Sequence, residues 1–355
     1  MNTRIALVCL LSGLASACGN SASVDGSFSS AGLAGGPYDV TVTRTTLGIP
    51  HIKADDFGSL GYGYGYAHAE DNLCVLMEDI VTVRGERAKW FGRDGSYTII
   101  NAFTGSNVNH SFFWKFLATD AAWQHLRESA DPELRAATVG FADGWNRYVR
   151  ELKDGGHAGR HAACRDAPWL NEITEADMYR RYYRLALIAS SSVFVNEIAS
   201  AKPPVGGSGS SSQTALSAPE MEALLRADPG PLAFFTNTND RPFGSNMYAL
   251  GKDAVAPGSQ SMVFGNPHFP WAGPERLYIS HLTVPGRMDI MGSSLYGVPA
   301  VLIGFNDHVA WSHTVSTAYR FGLYELTLAP GDPTSYVYQG QTRKMTATPV
   351  TVEIR

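Results

Sequence analysis

From residue 38 the chain alternates apolar and polar positions, YDVTVTR, with Val40 and Val42 in step and Arg44 before a turn that leads to Pro50 and His51. Alternation of this kind predicts an early half-buried strand. The period then lengthens. In FGSLGYGYGYAHAEDNLCVLMEDIVTVRGERAKWFG, Leu73, Leu76, Met77, Ile80 and Val81 recur at helical spacing, which predicts a helix ending near Gly92. Further helical patterns run around Ala121 to Leu152 and Ala176 to Ile198, so the first half reads as mainly helical.

At Lys202 the pattern stops. KPPVGGSGSSSQTALSAPE carries Pro, Gly and Ser with no apolar period and reads as a connector, followed by a short helical stretch near Met221 to Arg226. Beyond it, SMVFG, RLYISHLTV, MDIMG, PAVLIGF, VAWSHTVS, LYELTLA, SYVYQ and TPVTVEIR are short and strand-like, divided by Gly, Pro, Asp or Asn. No internal repeat is visible. The expected class is α+β, with a helical region over 38–201, a spacer over 202–244 and a β-rich region over 245–355. TPVTVEIR, read as a strand, would present an open edge.

Composition changes this picture little. The 355 residues, 44% hydrophobic and 17% charged, suffice for a sizeable core, and the net charge of −5 offers no basic surface for nucleic acid. The first residues say more. MNTRIALVCLLSGLASAC places Arg4 before an apolar run and small residues at 15–17, which predicts a signal peptide over 1–17 and export to the periplasm or beyond. Cys18 follows Ala-Ser-Ala, so a lipid anchor at Cys18 stands beside simple export as an alternative. In an oxidising compartment Cys74 and Cys164 are a candidate disulfide, with two separate buried thiols as the other reading. No Cys/His cluster spacing argues for a metal.

The chemistry concentrates at RPFGSNMYAL, where the spacer meets a strand. Gly244 leaves its own carbonyl open to attack by the following hydroxyl of Ser245. Cleavage there would make Ser245 an N-terminus. Its amine, with a reference pKa of about 7.7–8.0, could then act as base for its own hydroxyl.

GSNMYAL, GNPHFPW at 265–271 and GFNDHVAWSHTVS at 304–316 together resemble the penicillin acylase family of N-terminal-nucleophile hydrolases, and within it the branch of acyl-homoserine lactone and aculeacin A acylases. LGIPHIKADDFGSLGYGYGYAHAEDNL and RGERAKWFG resemble the start of that family's α-subunit. The resemblance implies an αββα sandwich, incomplete here, and autocleavage between Gly244 and Ser245 into α and β pieces that stay partners. It implies Ser245 as nucleophile, His268 near the serine amine, and the Val315 N–H as oxyanion donor. Phe269, Trp271 and Thr314 would line the acyl substrate's site. Taken without the family, His268 is an ordinary surface histidine, Val315 a strand residue, and Phe269 and Trp271 equally plain core.

Calcium-binding members carry Asp after the oxyanion segment, whereas STAYRFGLYELTL has none, so the resemblance implies no metal there and no cofactor. Members also run well beyond this length. The Asn that supplies the second oxyanion donor has no counterpart between Ser245 and Arg355, which would call for a further β-subunit portion as partner. The function expected is a secreted, self-processing amidohydrolase acting on acyl-homoserine lactones or related lipopeptide or penicillin-like amides. The alternative is an uncleaved, inactive relative or an exported acyl-ligand binding protein.

Overall fold

The structure, a computed structural model, describes residues 29–100, 103–202, 244–258, 261–314, 322 and 324–355. The signal peptide, Cys18, the helical stretch near Met221 and Val315 lie outside the described residues.

Three strands, β1 (Ser29–Gly35), β2 (Tyr38–Arg44) and β3 (Pro50–Ala54), form an antiparallel meander. Asp56 then caps α1 (Phe57–Val83), its carboxylate accepting the Ser59 N–H at 2.8 Å, a contact typically worth about 1 kcal/mol. The helix expected to reach Gly92 is two pieces. Gly85, at φ +69°, turns the chain before α2 (Arg87–Phe91). The hairpin of β4 (Ser96–Ile99) and β5 (Phe103–Ser106) leads into α3 (Asn107–Leu117). The pattern around 121–152 divides into α4 (Asp120–Ser129) and α5 (Pro132–Lys153), because Pro132 starts a helix where its missing N–H costs nothing. Next come α6 (Glu175–Leu187), opened by a Thr174/Asp177 capping box, a short 3-10 turn and α7 (Val195–Ser200).

Beyond the spacer lie β6 (Gly244–Leu250), β7 (Met262–His268), β8 (Leu277–Val284), β9 (Met288–Leu295), β10 (Ile303–Phe305) and β11 (Ala310–Trp311). A small sheet of β12 (Leu328–Ala329), β13 (Asp332–Tyr338) and β14 (Gln341–Lys344) follows. The main sheet has the order β1-β2-β3-β8-β9-β10-β11 and is antiparallel except where β3 meets β8. It therefore draws strands from both sides of the spacer.

One face of this sheet is covered by helices. Val40, Val42, Ile52, Leu282 and Val284 are buried against Leu60, Tyr64, Leu73, Leu76, Met77 and Ile80 of α1, each large side chain contributing about 1.5–3 kcal/mol. Outside α1 lies α5, close enough that backbones touch. A methyl group on Gly61 or Gly65 would overlap the carbonyls of Ala137 and Phe141, and one on Gly140 or Gly144 those of Gly58 and Tyr62. In GYGYGY, Gly61 and Gly65 thus face a second helix, while Gly63 lies against Val40 and Ile52 of the sheet.

Two devices lock this layer. Cys74 on α1 and Cys164 form a disulfide, with Cα atoms 5.5 Å apart. Asp79, Arg181, Arg184 and Glu275 form a fully buried, charge-balanced quartet. Arg181 pairs with Asp79 and donates to the carbonyls of Tyr296 (2.7 Å) and Pro274 (3.0 Å). Arg184 pairs with Glu275 and lies 3.0 Å from Asp79, off the line of a hydrogen bond. Burial opposes the Arg184 charge, but Asp79 and Glu275 outweigh it and raise its pKa.

TPVTVEIR corrects an expectation. It pairs with no strand, and instead of presenting an open edge it runs beside α2 and α3. Lys115 donates to the Thr351 carbonyl (2.9 Å), the Arg355 N–H to the Ala88 carbonyl (3.2 Å), and Lys89 pairs with Glu353 (2.7 Å). Of the described residues of LYELTLA, only Leu328 and Ala329 are strand.

Candidate active site

β6 and β7 pair as an isolated antiparallel ladder, with Gly244 opposite His268, Ser245 opposite Pro267 and Asn246 opposite Asn266. Ser245 is partly buried, and its hydroxyl donates a short hydrogen bond to the carbonyl of Gly244. The nucleophile candidate thus lies against the peptide group that it would cleave. Across the ladder, His268 Nδ1 is 3.5 Å from where a Gly244 side chain would begin. The Asn266 amide donates to His268 Nε2 at 2.9 Å, which leaves the ring proton on Nδ1, the nitrogen facing Gly244.

A third segment closes on the same ladder. Gly265 of β7 packs on Ser312, whose hydroxyl would lie 2.8 Å from a methyl group at 265. The stretch that carries His313 and Thr314 is thereby held beside the hairpin, and Thr314 itself is exposed. The hydroxyl of Ser312 is buried and has no hydrogen-bond partner among the described residues. Sequence reasoning passed over both Gly265 and Ser312. The signal was GN in GNPHFPW, where a glycine inside a strand marks a close approach.

Beyond His268, a cleft of about 350 Å³ is lined by Pro267, Phe269, Pro270, Trp271, Arg276, Leu277 and Tyr296. Phe269 and Trp271 share its wall, but Trp271 is 96% exposed and so is not core. Arg276 and Tyr296 were not anticipated. The Arg276 guanidinium lies 5.0 Å from the Tyr296 ring centre and its Nε donates to the Gly273 carbonyl at 3.1 Å. Burial raises the Tyr296 pKa while Arg276 pulls it the other way, so this phenol stays a neutral donor at ordinary pH. Six of the seven lining residues are Pro, Leu or aromatic and the seventh is Arg276, a lining suited to an aliphatic or aromatic chain that carries a polar group.

The structure brings Gly244, Ser245, His268 and the approach to Thr314 together. Among the described residues no group of three or more His, Cys, Asp or Glu surrounds a possible ion position.

Residues 39–355 match the family model described as Penicillin amidase. The chain is 41% identical over 320 residues to the aculeacin-A acylase of Actinoplanes utahensis, covering 90% of this chain and 38% of that protein. It is 37% identical over 314 residues to the acyl-homoserine lactone acylase PvdQ of Pseudomonas syringae pv. tomato, covering 88% of this chain and 38% of the relative. A solved penicillin G acylase from Alcaligenes faecalis, at 22% identity, covers 50% of this chain and 98% of its own with a TM-score of 0.32, too low to bear on the fold. The chain spans 38% of the length of each of the two curated relatives, and it belongs to the penicillin amidase family.

Proposed function

We propose that this chain is an exported, self-cleaving acylase that hydrolyses the amide bond of an N-acylated small molecule through Ser245. The observation that carries the reading is the Ser245 hydroxyl resting on the Gly244 carbonyl. In the first reaction Ser245 Oγ attacks that carbonyl carbon, the peptide nitrogen leaves with a proton, and the resulting ester is hydrolysed by water. Gly244 then ends in a carboxylate and Ser245 begins with a free amine.

In turnover, Oγ attacks the substrate's amide carbonyl while its proton passes to that amine. The family resemblance assigns the oxyanion to the Val315 N–H together with a second donor from a further β-subunit portion; a donor aimed at charge present only in the transition state lowers the barrier directly. The amine leaves with the proton, and water releases the acid from the acyl-serine. In this reading His268, oriented by Asn266, polarises the serine amine.

The relatives' names speak of aculeacin A and acyl-homoserine lactones, and the apolar wall of Phe269, Leu277 and Tyr296 suits such acyl chains. We place the chain in the periplasm or outside the cell after removal of 1–17, with lipid attachment at Cys18 as the alternative to simple export. The Cys74–Cys164 disulfide supports an oxidising compartment.

N-terminal sequencing with intact mass spectrometry of the exported protein tests this. The wild type should yield a piece beginning Ser-Asn-Met-Tyr, and Ser245→Ala none. A second reading is an uncleaved and inactive relative, in which the Gly244–Ser245 peptide bond stays intact. An intact wild-type chain would select it.

A further inference from the structure

His51 on β3 and His281 on β8 are 230 residues apart in sequence and register partners in the parallel pair of the main sheet. Their neighbours Ile52, Ser280 and Leu282 turn inward and are buried, so both imidazoles emerge on the face opposite α1. There the two Nδ1 atoms stand 2.8 Å apart, with the rings nearly perpendicular at 83°. On the far side of His281, Nε2 is 2.6 Å from the Asp289 carboxylate, and the Thr283 hydroxyl donates to the same oxygen at 3.0 Å. A carboxylate on Nε2 keeps the proton there and presents Nδ1 as a bare lone pair aimed at His51.

Facing imidazole nitrogens, one of them oriented by a carboxylate, are the donor set of a transition-metal site. We propose that His51 Nδ1 and His281 Nδ1 together bind one divalent transition-metal ion, with Asp289 orienting His281 and water filling the other positions. The 2.8 Å spacing is that of an N–H···N hydrogen bond, so an ion must displace the shared proton and turn both rings until their lone pairs converge on it. Among divalent first-row ions Cu(II) binds such nitrogen donors most strongly, which makes it the probe. Binding removes the proton that His51 Nδ1 shares with His281, and solvent returns one to His51 Nε2, so the tautomer changes and the charge does not.

The site stands on the main sheet, whereas Ser245 lies on the separate β6–β7 ladder. Lys53, beside Thr283 in the register, is a cation on the same face, set against Asp289. With two protein donors, the ion stays open to an exchangeable ligand.

The test is titration of Cu(II) into the full chain, followed by calorimetry and by electron paramagnetic resonance. One ion per chain with two imidazole nitrogen couplings is expected. His51→Gln and His281→Gln should each remove the two-nitrogen signal, and Asp289→Asn should weaken binding by about 10–100-fold. His125→Gln, on exposed α4, should leave binding unchanged. Thermal melts without metal verify that each variant is folded. Absence of Cu(II) binding in the wild type would overturn the proposal, as would unchanged binding in folded His51→Gln and His281→Gln.

Discussion

The α1–α5 layer and the β6–β7 hairpin are built on opposite principles. In the layer, glycines bring two helix backbones into contact, and α1 is buried along most of its length. In the hairpin, Met247, Tyr248, Leu250, Met262 and Phe264 are exposed by 38–62%, and Gly265 packs on Ser312, just past the main sheet's last strand. A two-stranded ribbon alone is marginal in water. Among the described residues, close packing is thus concentrated in the helices, while the candidate nucleophile sits on a strand pair with exposed apolar side chains.

Substitutions should separate the two regions on one scale, equilibrium unfolding in denaturant. Gly144→Val drives a branched side chain into the Tyr62 carbonyl and should cost more than about 4 kcal/mol, seen as loss of the cooperative transition. Arg184→Ala leaves Glu275 buried and unpaired and should lower the unfolding free energy by about 3–5 kcal/mol. Reduction of Cys74–Cys164, which joins positions 90 apart, should cost about 2–5 kcal/mol, read as a lower midpoint with reductant present.

Acid should act on the same side of the comparison. His68 and His110 are buried, and burial above all lowers their pKa values from 6.5 to about 3. Below pH 6.5 the unfolded chain takes up protons that the folded chain refuses, so stability falls as pH drops towards 3. The slope should reach about 1.4 kcal/mol per pH unit for each histidine, and His68→Gln should reduce it. At the other end, Tyr248→Ser on the hairpin should change stability by less than about 0.5 kcal/mol. A large loss there would show the hairpin to be better anchored than its exposure implies.

What the sequence disclosed was local. Period marked β2, α1, β8 and β9, and Gly244–Ser245 with His268 stood out by residue type. What it hid was pairing across distance. Nothing in GYGYGY says that Gly140 and Gly144 answer it, and nothing in GPERLY says that Glu275 meets Arg184, since such charges look like ordinary solvated surface. His51 and His281 each looked like a lone histidine until the parallel register joined them. TPVTVEIR misled because alternation reports which side chains share a face, not whether a neighbouring backbone is there to pair with.

The main sheet, with β3 beside β8, has a kinetic consequence. The only disulfide among the described residues lies upstream of Gly244, so nothing covalent would cross a cut at that bond. A severed chain would hold together through the β3–β8 ladder and the Asp79–Arg181–Arg184–Glu275 quartet, and would come apart only in denaturant. Before the cut, refolding is a first-order event in one molecule. After it, recovery becomes an encounter between two fragments, with a rate that scales with their concentration, so a dilute processed protein once unfolded is in practice lost.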